Sequence, residues 1–329
     1  MNFLTHIELP PSKVRISCGD SLLLLGSCFA ESMGHLLTGS KFRTDVNPFG
    51  VLYNPSSIAM AIRQLLNPKE RTVQDLFSHE GLYHSFSHHS SFSSVSETDC
   101  LRKINEQLRY SSGNLQHVNR LCITFGTAYV YRLKESGQVV ANCHKLPDKR
   151  FDRERLPVSQ ITDEWVELLS TLFNKNESLR CIFTVSPIRH WKDGAHENQL
   201  SKSTLLLAIE QIQRRFPEQV AYFPAYEVMM DELRDYRFYA DDMFHPSSAA
   251  VRYIWERFVE TYMDAQTRTF VKEIEEIQKA LNHKPLNPKS DSYKHFVMQT
   301  LLKMERLHTK MPYLCFEKEM DMLKRFVRN

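Results

Sequence analysis

A run of four leucines at residues 22–25, followed by Gly26 and Ser27, constrains the fold of this chain more than any other feature. An uninterrupted apolar run of this length is typical of a short strand that is buried on both faces of a sheet. Apolar residues then recur at helical spacing over residues 29–37, so we expect a helix to begin near Ser27 or Cys28. A strand, a tight turn and a helix in this order predict an α/β sheet that presents Ser27 at the carboxyl edge of its strands.

Ser27 has two interpretations on this local pattern. A serine at the start of a helix is very often an N-cap, whose side chain accepts a hydrogen bond from the first turn. The dipole and the free N–H groups of a helix N-terminus also stabilise a developing negative charge, which favours a nucleophilic serine. Gly26 lets the backbone turn without steric cost in either case. The local pattern leaves both interpretations open.

An acid and a histidine stand near the end of the same region. Asp242 precedes His245 by three residues, and Pro246 and a helix-start signal follow. An acid at this spacing can orient one nitrogen of the imidazole while the other nitrogen faces a nucleophile. His190 is a competing candidate for the base, but it lacks an acidic partner at a comparably short spacing. We therefore predict Ser27, Asp242 and His245 as the catalytic residues.

The pentapeptide Gly-Ser-Cys-Phe-Ala at residues 26–30 is accompanied by further blocks in a fixed order. These blocks lie at residues 44–50, 124–128, 142–145, 184–190, 197–203 and 242–246. Together they resemble the GSCFA family, which has the Ser and Asp-x-x-His chain order of the SGNH (GDSL-like) hydrolases. The resemblance covers about residues 26–245. It implies a three-layer α/β/α sandwich with a mostly parallel, flavodoxin-like sheet.

The resemblance also implies a serine esterase or acyl hydrolase. Ser27 attacks an ester carbonyl in this scheme, His245 takes its proton, and Asp242 holds the imidazolium. The expected substrate is a small-molecule or carbohydrate ester, with an O-acetylated or otherwise acylated carbohydrate as one candidate, and no cofactor is expected. Two alternatives remain: an O-acyltransferase that uses the same site, and a non-catalytic module that binds a glycan or an acyl group.

One usual part of the implied oxyanion hole is missing from the sequence. In SGNH enzymes a glycine after the second strand donates a backbone N–H, and Gly50 is the candidate here, with Asn47 of the same block as a further candidate site residue. The block at Gly126 lacks the asparagine that usually completes the hole. We expect Asn142, beside His144, to replace it, because a preorganised amide strongly stabilises an acyl-transfer transition state. The alternatives are a plain Asn-Pro turn at residue 47 and purely structural hydrogen bonds for Asn142 and His144.

Cys28 is an alternative nucleophile on the same turn. Helix N-termini favour the thiolate form of cysteine in general, so a Cys-His hydrolase is chemically possible. Successive side chains on a turn point in different directions, so Ser27 and Cys28 cannot both face His245. The resemblance favours Ser27, and we then expect Ser27 or Cys28 to contribute a backbone N–H to the oxyanion.

A second loop is expected to face the substrate. Residues 182–187 predict a strand that ends just before Arg189 and His190, and open α/β sheets bind ligands beyond the carboxyl ends of their strands. In this position Arg189 can bind an anionic group and Trp191 can stack on a sugar. A surface ion pair is the alternative for Arg189.

Residues 81–98 are rich in serine and histidine and predict a loop on the active-site side or a substrate-facing insertion. His84 and His88 stand four residues apart, as metal ligands often do. No aspartate, glutamate or cysteine stands nearby at ligand spacing, so no metal site is predicted.

Composition excludes several functional classes. The chain has 329 residues, 42% hydrophobic and 25% charged, and its net charge of +3 is too small to indicate nucleic-acid binding. Its seven cysteines lack CxxC spacing and indicate free thiols in a reducing compartment. We see no signal-peptide pattern and no apolar run of the roughly 20 residues that a membrane helix needs. We therefore expect a cytoplasmic protein that does not bind membranes.

The character of the chain changes after residue 263. Residues 1–263 are predicted to form the catalytic domain, and residues 264–329 a C-terminal helical extension with apolar stripes that Pro285 and Pro288 interrupt. Such stripes usually form packing surfaces. We expect this extension to dock on the core or to mediate self-association.

Overall fold

A computed structural model describes residues 5–287 and 289–328, with side chains up to residue 324. The chain divides into two compact units. The larger unit runs to Thr38 and continues over Phe42–Met263, and the smaller unit combines Gly39–Lys41 with the chain from Asp264 onward.

Strands and helices alternate through most of the larger unit. The strands are β1 (Ser21–Gly26), β2 (Arg43–Val46), β3 (Phe77–His79), β4 (Leu82–His84), β5 (Arg120–Phe125), β6 (Tyr129–Leu133), β7 (Val139–Val140), β8 (Phe151–Arg155), β9 (Arg180–Val185) and β10 (Val220–Phe223). The helices of the chain are α1 (Cys28–Gly39), α2 (Pro55–Leu66), α3 (Glu97–Leu115), α4 (Val158–Lys175), α5 (Gly194–Arg215), α6 (Ala225–Glu227), α7 (Ser248–Tyr262), α8 (Ala265–Asn282), α9 (Asp291–Lys310) and α10 (Glu317–Arg328).

Five strands form one parallel sheet in the order β2-β1-β5-β9-β10. Leu24 of β1 lies opposite Val46 of β2 on one side and Cys122 of β5 on the other. This is the strand order of flavodoxin-like folds, in which ligands bind beyond the carboxyl ends of the strands, beside the first strand. The predicted α/β fold, with a mostly parallel sheet and C-terminal helices, is confirmed.

Alternate residues of β1 pack on opposite faces of the sheet, as the pleat of a strand requires. Leu23 and Leu25 belong to the main apolar core, together with Trp165 of α4 and residues of α2 and α5. Leu24 lies on the other face, where it lines a cavity of about 20 Å³ together with residues of α1 and Phe258 of α7. The run of leucines therefore fills both layers between sheet and helices.

The turn from β1 into α1 requires glycine. Gly26 has a φ of +147°, and a Cβ placed there would lie 2.2 Å from the carbonyl oxygen of Thr124 in β5. Its N–H donates to Oδ1 of Asn47 at 2.9 Å, which ties the end of β1 to the loop after β2. Ser27 consequently follows β1 directly at the carboxyl edge of the sheet.

Two small antiparallel elements are not predicted by the sequence pattern. Strands β3 and β4 form a hairpin, and β6 pairs with both β7 and β8. In β8 only Phe151 is buried, so no apolar run marks the strand. Near the start of the chain, Ile16 pairs with Met263 in a single isolated bridge.

The smaller unit is helical. The predicted apolar stripes lie on α8 and α9, where Ile274, Ile277, Val297 and Met304 are among the buried residues. Lys41 forms an ion pair with Glu319 and lies 5.3 Å from the ring centre of Phe316. Self-association through these helices remains a prediction.

None of the helices in the described residues combines the length and the apolarity needed to cross a membrane.

Candidate active site

A cavity of about 610 Å³ is lined by residues that follow β1, β5 and β9. Six predicted site residues border it: Ser27, Cys28, Asn142, Arg189, His190 and His245. Five others do not: Asn47, Gly50, Gly126, His144 and Asp242. The fold thus brings together segments that lie more than 200 residues apart in the chain.

Ser27 is almost fully buried, with 1% of its surface exposed. Its Oγ accepts a hydrogen bond from the N–H of Phe29 at 3.3 Å, which is the bond of a helix N-cap. Its own N–H donates to the carbonyl oxygen of Thr124 at 3.3 Å. The same hydroxyl therefore caps α1 and borders the cavity, so the two interpretations of Ser27 are compatible.

Asp242 and His245 are joined by hydrogen bonds through both backbone and side chain. Oδ1 of Asp242 accepts the N–H groups of His245 and Phe244, each at 2.9 Å, and its Oδ2 lies 2.5 Å from Nδ1 of His245. These hydrogen bonds, led by the one from the backbone of His245, lower the pKa of Asp242 to about 2. Asp242 is thus a carboxylate at neutral pH that holds Nδ1 of His245. Nε2 of His245 has no partner among the described residues.

Ser27 and His245 border the same cavity, and no hydrogen bond joins them in the described part of the chain. Bonds between a nucleophile and its base are often long in ligand-free proteins and shorten when substrate binds. Met243, in the turn between Asp242 and His245, has a left-handed φ of +63°. The local backbone of this turn therefore sets the position of His245.

Gly50 does not supply an oxyanion N–H in this geometry. Its N–H donates to the carbonyl oxygen of Asn47 at 2.7 Å, so the turn uses the donor. Oδ1 of Asn47 in turn accepts from Gly26. The N–H of Gly126 donates to the carbonyl oxygen of Tyr53 at 2.8 Å. Asn47, Gly50 and Gly126 therefore hold strand ends and loops together behind the cavity.

Asn142 and His144 have different surroundings. Asn142 borders the cavity, its Oδ1 accepts the N–H of His144 at 2.8 Å, and its Nδ2 has no acceptor among the described residues. His144 is buried, and its Nε2 lies 2.9 Å from the carbonyl oxygen of Ser85. Burial lowers the pKa of His144 to about 4. Asn142 therefore stays a candidate oxyanion amide, while His144 is held in the interior.

Asn54 is a second candidate amide, which the sequence pattern assigns only to a helix start. Its Oδ1 caps α2 by accepting the N–H of Ser57 at 2.8 Å, and its Nδ2 has no acceptor in the described chain. The N–H of Leu52 donates to the carbonyl oxygen of Gly26 at 2.9 Å, so this segment runs beside the turn that carries Ser27. An asparagine at an N-cap uses its side-chain oxygen for the cap and keeps its NH2 group available. The helix-start pattern at Asn54 could therefore have identified it as a candidate donor.

Cys28 borders the cavity, but its thiol contacts a tyrosine. Its Sγ lies 3.7 Å from Oη of Tyr53, and burial, followed by the interaction with Cys28, raises the pKa of that tyrosine. The backbone N–H of Cys28 has no acceptor among the described residues. Cys28 therefore offers an unused backbone donor beside Ser27.

Two family models match the sequence. The model described as the GSCFA family covers residues 21–258, which is more than half of the chain and includes Ser27, Asp242 and His245. This chain belongs to the GSCFA family. The model described as the C-terminal domain of GSCFA domain proteins covers residues 274–329 of the same chain. The family resemblance inferred from the sequence blocks is confirmed.

Among solved structures, this GSCFA protein is similar to an acetyl xylan esterase (Est2A) from the rumen bacterium Butyrivibrio proteoclasticus, with a TM-score of 0.38 and 9% identity. The match covers 74% of this chain and 64% of that chain, so it spans less than two thirds of the esterase. No curated protein matches the sequence.

Lys202 of the GSCFA protein is a buried cation that sequence reasoning missed. It is 0% exposed, and its Nζ donates to the carbonyl oxygens of Gly126 at 2.7 Å and Ser186 at 2.8 Å. It thereby joins the ends of β5 and β9 at the cavity. The sequence feature that could have indicated its burial is its position on the buried stripe of α5, between Asn198 and Leu205.

None of the residues of the histidine-rich segment 81–98 borders the cavity, but the carbonyl oxygen of Phe86 accepts the N–H of Ala141, which does. The position of this segment on the active-site side stays a prediction. Nδ1 of His84 lies 2.7 Å from Oγ of Ser93, and Nδ1 of His88 lies 2.9 Å from Oγ of Ser85. In the described residues, no group of three or more His, Cys, Asp or Glu side chains is placed to hold a metal ion.

Proposed function

We propose that this GSCFA protein is a serine hydrolase that cleaves ester bonds. One observation carries the proposal: Ser27 and the Asp242-paired His245 border one cavity beside the carboxyl edge of the sheet. A nucleophile, a base and an acid that orients the base are the groups that serine-dependent acyl transfer requires.

In the proposed reaction, Oγ of Ser27 attacks the ester carbonyl while Nε2 of His245 takes its proton. Asp242 holds the other imidazole nitrogen and stabilises the imidazolium. His245 then protonates the leaving alcohol, and a water molecule activated by the same histidine releases the acid. His190 is a poor base by comparison, because burial, followed by the positive charge of Lys202, lowers its pKa to about 3.

Three unused donors support an oxyanion hole at this site. They are the backbone N–H of Cys28, Nδ2 of Asn54 and Nδ2 of Asn142, and all three residues border the cavity. Donors that are held in place before the reaction stabilise the developing negative charge without reorganisation, and removal of one such donor typically lowers kcat about 100- to 1000-fold.

The cavity wall supports a carbohydrate as the alcohol part of the ester. Tyr129, Tyr131, Trp191 and Phe244 border the cavity, and the rings of Trp191 and Phe244 stack with centres 5.6 Å apart. Aromatic faces bury the apolar side of a ring-shaped ligand and leave its polar edge for hydrogen bonds. We therefore propose O-acetylated or otherwise acylated sugars as the substrate class.

Labelling with a serine-reactive fluorophosphonate, measured by intact mass, tests the nucleophile. We expect one adduct on the wild-type protein and none on Ser27→Ala. Cys28→Ala is the matched control, because it changes the neighbouring residue of the same turn, and we expect it to keep the adduct. Hydrolysis of p-nitrophenyl acetate is followed in parallel for all three proteins.

Each pattern of results has one meaning. An adduct and turnover that both depend on Ser27 support the hydrolase. Labelling and turnover that survive in Ser27→Ala but disappear in Cys28→Ala would assign the reaction to the thiol. The absence of both labelling and turnover in the wild-type protein would contradict the proposal and favour a binding module. Acyl release that depends on an added sugar acceptor would indicate an acyltransferase.

A further inference from the structure

Arg189 is a cation at the edge of the proposed active site. A guanidinium carries five N–H groups, and none of those of Arg189 donates to an acceptor among the described residues. Its Nε is buried without a hydrogen-bond partner. Its central carbon lies 5.2 Å from the ring centre of Trp191, which shields one face of the group. Arg71 and Arg257 also have a buried Nε without a partner, but both form ion pairs, whereas Arg189 borders the cavity. A buried donor without a partner at a cavity wall points to a ligand.

The other arginine at the cavity is already paired. Arg153 forms an ion pair with Asp193, and its guanidinium carbon lies 3.8 Å from the ring centre of Tyr129. Among the described residues, Asp193 and Asp148 are the two acidic residues that border the cavity. The protein therefore satisfies Arg153 internally and leaves Arg189 open.

The cavity lining carries more positive than negative charge. Four of its residues are lysine or arginine, and two are aspartate: Lys145, Arg153, Arg189, Lys192, Asp148 and Asp193. A further cation, Lys202, lies nearby, and its pKa is lowered to about 7 by burial and then by the positive charge of Arg189. A bound anion would relieve this repulsion.

We infer that Arg189 binds a carboxylate carried by the substrate, so that the preferred ester is an acylated uronic acid rather than an acylated neutral sugar. This inference rests on the proposed ester hydrolase. A planar guanidinium matches a carboxylate with two parallel hydrogen bonds, which a lysine cannot reproduce. Trp191, beside the guanidinium, adds apolar surface to the same wall of the cavity.

The test compares two esters that differ only at C6 of the sugar, an O-acetylated methyl glucuronoside and the matching methyl glucoside. Acetate release gives kcat/KM for each. We expect a preference of at least about 10-fold for the uronate, the typical effect of one charge-assisted contact. Arg189→Gln is expected to bring the ratio close to one, mainly by raising KM for the uronate, and Arg189→Lys to restore part of it.

Arg150→Gln is the matched control. Arg150 pairs with Glu135 and does not border the cavity, so this variant removes one positive charge without changing the proposed contact. We expect it to keep the wild-type ratio. Equal kcat/KM for the two esters in the wild-type protein, or a loss of the same factor for both in Arg189→Gln, would overturn the inference and leave the hydrolase standing.

A binding measurement separates the inference from the proposed function. Calorimetric titration of Ser27→Ala with methyl glucuronoside and with methyl glucoside measures recognition without turnover. If the wild-type protein hydrolyses neither ester, tighter binding of the uronate to Ser27→Ala that is lost when Arg189→Gln is added would support the carboxylate site and contradict the hydrolase. Equal affinity for both glycosides, or binding of neither, would contradict the carboxylate site.

Discussion

Acidification should destabilise the larger unit, and two of its histidines that are buried without charge, His88 and His144, should contribute to the loss. His88 is 2% exposed, its ring centre lies 5.0 Å from that of Phe49, and its pKa is lowered to about 3 by burial. His144 is 6% exposed, its ring centre lies 4.5 Å from that of His84, and burial lowers its pKa to about 4. Both imidazoles are therefore neutral in the folded protein at pH 5.

The sign and size of the effect follow from the difference between the folded and unfolded chains. An exposed histidine has a pKa of about 6.5, so between pH 6.5 and about 4 the unfolded chain binds protons that the folded chain does not. The stabilisation is complete above pH 6.5 and is lost as the pH falls towards the folded pKa values. At pH 5 we expect a loss of about 2 kcal/mol from His88 and about 1 to 2 kcal/mol from the less deeply buried His144.

Urea unfolding at pH 7.5 and at pH 5.0, followed by tryptophan fluorescence, measures this loss. All three tryptophans, Trp165, Trp191 and Trp255, lie in the larger unit, so the signal reports on that unit. The double variant His88→Asn and His144→Gln keeps the hydrogen-bonding nitrogen positions and cannot titrate. Between pH 7.5 and pH 5.0, we expect the loss of unfolding free energy to be about 3 to 4 kcal/mol smaller in the double variant than in the wild-type protein.

His117→Gln is the control, because His117 is exposed on the surface of the same unit. This variant should show the wild-type loss. If the double variant lost as much stability on acidification as the wild-type protein, to within about 1 kcal/mol, the reasoning from buried neutral histidines would be refuted.

Three further predictions concern the active-site side of the sheet. Asp242→Asn should lower kcat for ester hydrolysis by up to about 10,000-fold, because the new amide would hold His245 in the wrong tautomer. The unfolding midpoint should change little, and circular dichroism checks the fold. Gly26→Ala should destabilise the protein by more than about 3 kcal/mol, because its Cβ would lie 2.2 Å from the carbonyl oxygen of Thr124, and urea unfolding measures this. Between pH 7 and pH 9, folded Lys202, with a pKa of about 7, loses a proton that the same lysine keeps in the unfolded chain. The free energy of unfolding, measured with urea, should therefore rise over this range by about 2 kcal/mol more in the wild-type protein than in Lys202→Met.

The parallel sheet could be predicted because its central strands are contiguous apolar runs. Strands β1, β5 and β9 are buried on both faces, and such runs need no information from distant residues to be identified. Ser27 and the Asp242–His245 pair are also marked locally, by a strand-turn-helix pattern and by an acid three residues before a histidine. Their hydrogen bonds to Phe29 and within the Asp-x-x-His turn are short-range contacts.

Contacts between distant segments could not be predicted in the same way. Strands β6, β7 and β8 are only two to five residues long, and β8 carries no apolar run. The hydrogen bonds from Lys202 to two carbonyl oxygens form only because α5 packs against the ends of β5 and β9, and the sequence around Lys202 does not show this packing. The family pattern suggested an oxyanion donor at Gly50, but the folded turn uses that N–H internally.

The sequence by itself determined the α/β class and the candidate residues for the chemistry, because strand burial, helix starts and the Asp-x-x-His turn depend on neighbours a few positions away. Only the tertiary structure decided which donors are occupied and which are free. Arg153 finds Asp193 across 40 residues, whereas Arg189 finds no acceptor among the described residues. The availability of a polar group depends on what distant segments place beside it, and a local pattern does not contain that information.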